Sequence, residues 1–180
     1  MKIVKSREQF LKELSVYVDG YCSFAELGVL HGDFSKLILD IIKPSWLVLV
    51  DPYELNNKSY KSGLTTAYST NEDYDKLVKR FNKEILQARV SVYKMPSYNA
   101  VSLFPNNYFD FIYHDASHLK EDLSYDLNQW LPKIKDDGII CGHDYGIEEF
   151  GVTEAVDMFC EYYNFEMFLF NENGGDWAIR

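Results

Sequence analysis

Three observations make this chain an α/β protein built on a mostly parallel sheet. Short apolar runs alternate with longer stretches whose apolar residues recur at helical spacing, the pattern of strand–helix–strand crossovers. A glycine turn, Gly28-Val-Leu-His-Gly32, joins the first apolar run to an amphipathic one. Acidic residues Glu26, Asp51, Asp115 and Asp144 stand at or near the ends of four expected strands.

The elements follow in order. Ser6 can cap a helix over roughly 7–18, with Phe10, Leu11, Leu14 and Tyr17 on one face and Gly20 at its end. Residues 22–27 form the first strand, and the helix after the glycine turn covers 33–42 until Pro44 stops it. Trp46-Leu-Val-Leu-Val50 reads as a fully buried strand. Residues 54–69 show little periodicity and read as a mobile loop where the strands end. Thr70 and Asp73 form a capping box for a helix over 71–86. A short strand at 90–93 and one or two helical turns at 97–103 precede a strand at 109–114. Ser117 can cap a helix over 118–131. A fifth strand at 138–142 leads to His143-Asp144-Tyr145-Gly146, and a helix covers 151–163. Runs at 165–170 and 176–179 flank Asn-Glu-Asn-Gly-Gly, a hairpin signal that predicts an antiparallel edge strand.

Composition narrows the function. With 180 residues, 47% of them hydrophobic, one domain spanning 1–180 with a sizeable core is expected. The net charge is −10, and no cluster of bases interleaved with aromatics occurs, which argues against a nucleic-acid partner and for a small-molecule substrate. Cys22, Cys141 and Cys160 form no CxxC pair and read as buried thiols, so a reducing, cytoplasmic setting is expected. No apolar run is long enough for a membrane span, and no signal-like stretch opens the chain.

Open α/β sheets bind ligands outside the carboxyl ends of their strands. Acids there can accept hydrogen bonds from a ribose diol or an amine, or hold a cation; the bland alternative is helix caps and solvated turns. Gly28 and Gly32 leave room for a ligand to approach the backbone, and the free N–H groups that open the next helix can face it. Asp51 follows Gly28 by 23 residues, the spacing of a ribose-binding acid in a dinucleotide site, so NAD is a competitor. The turn lacks the middle glycine of G-x-G-x-x-G, and Glu26 would repel a pyrophosphate. A cofactor with a positive amino-acid end fits better. A nucleoside-binding protein without catalysis is the third reading.

Glu26-Leu-Gly-Val-Leu-His-Gly32, Val50-Asp-Pro-Tyr53, Phe109-Asp-Phe-Ile-Tyr-His-Asp-Ala-Ser-His118, Asp126-Leu-Asn-Gln-Trp-Leu-Pro132, Gly142-His-Asp-Tyr145 and Gly151-Val-Thr-Glu-Ala-Val-Asp157 together resemble the small class I S-adenosylmethionine-dependent methyltransferases, notably sugar and small-molecule O-methyltransferases. The resemblance implies a Rossmann-like three-layer sandwich with a seven-stranded sheet whose terminal strand alone is antiparallel. It also implies that Glu26, Gly28 and Gly32 line the methionine part of S-adenosyl-L-methionine, that Asp51 binds the ribose, that Tyr53 lies near ribose or adenine, and that Met95 and Ser97 lie near adenine. His31 is a cofactor neighbour or only shapes the turn.

Relatives of this kind often hold a divalent cation after strands four and five, which by resemblance points to Asp115, His143 and Asp144. Carboxylates suit Mg2+; His143 and His118 would favour zinc or manganese, or neither histidine is a ligand. Asp115 also falls on the cofactor side. Ser117 is a poor base, so His118 is the residue expected to accept a substrate proton, unless it is structural. The expected catalytic set is His118, Asp115, His143 and Asp144, acting on a small polar or sugar-like hydroxyl. A second subunit could complete so small a site as a homo-oligomer.

Overall fold

A computed structural model describes residues 6–18, 21–54, 69–170 and 175–180. Most of the loop expected at 54–69, Gly20 and most of the turn at 171–175 therefore lie outside the described residues. The strands are β1 (Ser23–Leu27), β2 (Trp46–Asp51), β3 (Val90–Lys94), β4 (Phe109–His114), β5 (Ile134–Tyr145), β6 (Met167–Leu169) and β7 (Gly175–Ile179). They form one seven-stranded sheet in the order β3-β2-β1-β4-β5-β7-β6. β1 to β5 run parallel, whereas β7 runs antiparallel to both β5 and β6. The antiparallel strand is thus the last in sequence, as expected, but it is not the edge: β6 lies outside it.

The helices are α1 (Arg7–Leu14), α2 (Asp33–Ile41), α3 (Asn71–Arg80), α4 (Asn82–Leu86), α5 (Ser97–Ala100), α6 (Lys120–Trp130) and α7 (Val152–Tyr163). On one face of the sheet α1 and α2 press Phe10, Leu11, Leu14, Phe34 and Ile38 onto Phe24, Leu47, Leu49 and Tyr113. The opposite face carries Ala25, Leu27, Val48 and Ile112 under Phe104 and Trp130. Because β1 and β2 are covered on both faces, they are apolar almost throughout; beyond Ser23 at the start of β1 the exceptions are the acids Glu26 and Asp51, and both are buried.

Local signals explain most helix ends. Ser6 accepts from Gln9 N, and the Thr70–Asp73 capping box is complete, each such cap contributing about 0.5–2 kcal/mol. The helix expected over 71–86 breaks at Phe81, whose ring packs where a Gly32 side chain would stand. The helix expected from 118 begins at Lys120. Ser117 does not cap it directly: its hydroxyl donates to Asp122 at 2.9 Å. That leaves His118 in the loop after β4. The fifth strand is longer than expected, because pairing with β4 and then with β7 carries it through His143 and Asp144.

Candidate active site

The carboxyl ends of β1, β2, β4 and β5 bring the four acids to one rim. Parallel pairing sets Glu26 beside Leu49 and Tyr113, and His114 beside Leu27 and Gly142, so the loops leaving these strands share that rim. Gly28 has φ +87°, and a β-carbon there would lie 1.9 Å from the Asp115 carbonyl oxygen. The space the absent side chain leaves is filled by the backbone leaving β4, rather than left open for a ligand. Gly32, at φ +75°, is pressed in the same way by Leu77 and Phe81.

Asp51 organises the turn. Its Oδ2 accepts from Val29 N at 2.9 Å and Leu30 N at 3.0 Å. Its Oδ1 accepts from Tyr53 N at 3.0 Å and from the Ser69 hydroxyl. Gly28 N and Gly32 N also donate within the protein, to Val50 O and Val29 O. The expectation that the turn presents free N–H groups is therefore corrected for these four residues: a buried carboxylate and neighbouring carbonyls already satisfy them, as buried polar groups require. Tyr53 belongs to the support of the turn. It is fully buried, and its hydroxyl donates to Leu30 O at 3.0 Å, so it props the turn from beneath. His31 points away to Asp73 on α3, 3.2 Å from its Oδ1. Ser97 is turned towards α6, donating to Asp126, which also lies 3.1 Å from His114 Nε2. Met95 packs against the cluster under Trp130.

Glu26 sits on the floor of this rim and accepts from Ser35 at 2.6 Å. Burial pushes its pKa up to about 8; the Asp115 and Asp51 charges add to this, while Ser35 and Arg7 oppose it. Glu26 is thus mostly protonated at neutral pH until a positive group arrives.

The densest chemistry lies between β4 and β5. One oxygen of Asp115, one nitrogen of His118 and one oxygen of Asp144 all fall within 4.8 Å of one another. His118 Nε2 is 2.8 Å from Asp144 Oδ2 and 3.7 Å from Asp115 Oδ1. Nε2 is shut off from solvent, so the Asp144 carboxylate is its close polar neighbour. The ring stacks on Phe150, centroids 4.4 Å apart, which holds its plane. Burial lowers the His118 pKa, but the two carboxylates outweigh it and push it up to about 9. Burial would raise Asp144, but His118 and His143 hold it well below the usual carboxylate range. In the cation-free protein His118 is thus protonated at neutral pH, and its Nε2 lone pair becomes available, to a cation or to a substrate proton, only once that proton leaves.

His143 stands outside the cluster. Its Nδ1 donates to Asp144 Oδ1 at 2.7 Å, and its carbonyl accepts from Trp177 Nε1. Of the expected trio of Asp115, His143 and Asp144, the two acids come together, and the histidine whose ligand atom lies with them is His118. Asp144 has a left-handed φ of +65°, a strain that recurs at functional positions. Two hard carboxylate oxygens and an imidazole nitrogen fit a divalent cation of the Mn2+ or Zn2+ kind better than Mg2+ alone.

Arg7, which sequence reasoning did not single out, enters from α1: its Nη2 donates to Asp115 Oδ2 at 2.7 Å. No local pattern around residue 7 marks it, since its partner is 108 positions away. A separate cavity of about 550 Å3 opens at the amino ends of β4 and β5, lined by Asn106, Lys135, Phe165 and Arg180, and shares none of these groups.

A family model described as a methyltransferase domain matches residues 25–145. The chain belongs to that family and is an S-adenosylmethionine-dependent methyltransferase. Among solved structures it is similar to the O-methyltransferase NovP, at 16% identity over 95% of this chain and 78% of that one, TM-score 0.70. It is similar also to an O-methyltransferase from Bacillus cereus in complex with SAH, at 15% identity over 99% and 82%, TM-score 0.66. Cofactor-bound Rv0187 from MTB matches at 14% identity over 99% and 82%, TM-score 0.68. Identities this low show a shared fold. A comparison with curated proteins found no match. The family decides between the two cofactor readings, against NAD. Among the described residues no helix is long and apolar enough to cross a membrane.

Proposed function

We propose that this methyltransferase acts on a hydroxyl of a small polar or sugar-like molecule, with a divalent cation held by Asp115, His118 and Asp144. The observation that carries the reading is the convergence of these three ligand atoms, with a solvent-shielded imidazole nitrogen among them, beside the Gly28 turn. The solved O-methyltransferases of the same fold support it.

S-adenosylmethionine supplies a methyl group already activated by its sulfonium, and a bound cation supplies Lewis acidity that makes a hydroxyl more acidic. The chain's residues do the rest. Glu26 faces the positive methionine end and ionises as that charge arrives. Asp51 holds the turn in shape and reaches the ribose hydroxyls by exchanging some of its protein donors for them. Met95 and Ser97, packed inward at the end of β3, would support the segment that borders adenine. Asp115 and Asp144 orient the acceptor oxygen towards the methyl group. The acceptor proton leaves to solvent or to a carboxylate that is not coordinated.

The test is a cofactor-dependent assay across hydroxylated acceptors, in chelator and after adding back Mg2+, Mn2+ or Zn2+. Turnover is expected to vanish in chelator and return with a cation, and Asp144→Asn is expected to lose turnover while S-adenosylhomocysteine affinity stays within about threefold of wild type, about 0.65 kcal/mol. Undiminished turnover in chelator would refute the cation role.

A further inference from the structure

Asp115 uses its two oxygens differently. Oδ2 accepts the Arg7 guanidinium at 2.7 Å, and Oδ1 faces His118 Nε2 at 3.7 Å. Arg7 is itself held firmly. It lies over the Phe34 ring at 5.1 Å and the Tyr113 ring at 5.9 Å, both part of the core under α1. One turn along the helix, Phe10 is fully buried; it meets Phe170 edge-on at 4.9 Å and Tyr113 at 6.1 Å. Residues three apart share a helix face, so the packing that fixes Phe10 also fixes where Arg7 projects. Among the described residues, no other arginine or lysine pairs with Glu26, Asp51, Asp115 or Asp144.

We propose that Arg7 is a positioning residue for the cation site: α1 clamps one oxygen of Asp115 so that the other is presented to the space shared with His118 and Asp144. The proposal rests on the reading of that trio as cation ligands. Rotating the Asp115 carboxylate about its terminal torsion costs little by itself, because that torsion is soft. The Arg7 hydrogen bond to Oδ2, from a guanidinium itself held over two rings, restricts that freedom. α1 lies before residue 25, where the family match begins, so the clamp is supplied by a segment outside the matched domain. Partners that orient a ligand carboxylate typically change metal affinity by about 10–100-fold when removed.

The test is Mn2+ binding to the full chain, followed by the loss of the free-ion resonance, in wild type, Arg7→Gln and Arg7→Lys. S-adenosylhomocysteine affinity and thermal midpoint are measured on the same samples. Arg7→Gln is expected to weaken Mn2+ by about 10-fold or more with cofactor affinity little changed, and Arg7→Lys, which keeps a charge without the fork, to recover part of the loss. Mn2+ affinity in Arg7→Gln equal to wild type overturns the positioning role while leaving the cation site standing. Weakened cofactor binding with unchanged Mn2+ affinity overturns it as well, and makes Arg7 a cofactor contact. Absence of Mn2+ binding in wild type overturns both the clamp and the cation reading.

Discussion

Gly28 and Asp115 touch so closely that the turn after β1 is seated on the backbone leaving β4: Asp115 N also donates to Leu27 O at 2.7 Å. The cofactor side and the cation side of the site are thus one mechanical unit. Any shift in the glycine turn is felt at Asp115, and through Asp115 at His118.

This contact sets a comparison between two glycines. Gly28→Ala would drive a β-carbon into a carbonyl fixed by the sheet, and would hold a side chain at a left-handed φ. Overpacking of this kind costs about 1–3 kcal/mol, and the backbone adds about 1 kcal/mol more. Gly32→Ala shares the left-handed φ but meets the ends of the Leu77 and Phe81 side chains rather than backbone. Urea unfolding should therefore show the larger loss for Gly28→Ala. Equal losses would mean that the β4 backbone yields more readily than its pairing implies.

Glu26 predicts a proton coupled to cofactor binding. Its folded pKa of about 8 stands above its ordinary value of 4.5, so it is mostly neutral at pH 7. An arriving ammonium and sulfonium favour the ionised form and expel that proton. Titration calorimetry at pH 7 in buffers of different ionisation enthalpy should show release approaching about one proton, and Glu26→Gln should abolish it. In the free protein the same shift makes a stabilising contribution that is present below pH 4.5 and lost as pH rises through about 8. Buffer-independent heats in the wild type would contradict the buried, neutral state.

His118 and Asp144 have opposite pH signatures. With His118 pushed up to about 9 from 6.5, their attraction stabilises the fold fully below pH 6.5 and is lost as pH rises through about 9. Asp144, held below its ordinary 3.8, adds a contribution that is present above that value and lost on further acidification. Imidazole NMR titration of the cation-free protein should find His118 charged at pH 7.5, and Asp144→Asn should bring its titration down towards neutrality. Titration near 6.5 in the wild type would show that the carboxylates do not dominate.

Much of the fold was legible because its signals are local. The apolar runs of β1 and β2, the Thr70–Asp73 box and the glycine turn each act within a few residues. Glu26, Asp115 and Asp144 could be read as one rim because parallel strands put equivalent ends together. Asp51 was legible as a site acid, but not as the acceptor that closes the turn, since that depends on how tightly the turn folds over it. Tyr53 is a similar case: its sequence position suits a ligand wall, but packing took its ring into the core.

What the sequence by itself determined is the alternation of strand and helix and the placing of acids at strand ends, because periodicity and capping are short-range effects. Only the tertiary structure decided which side chains share an oxygen. His118, released into the loop by the late start of α6, brings its Nε2 to Asp115 and Asp144, whereas His143 meets only Asp144, through its Nδ1. Arg7 reaches Asp115 because α1 packs across β4, and a contact across that many residues has no trace in local pattern.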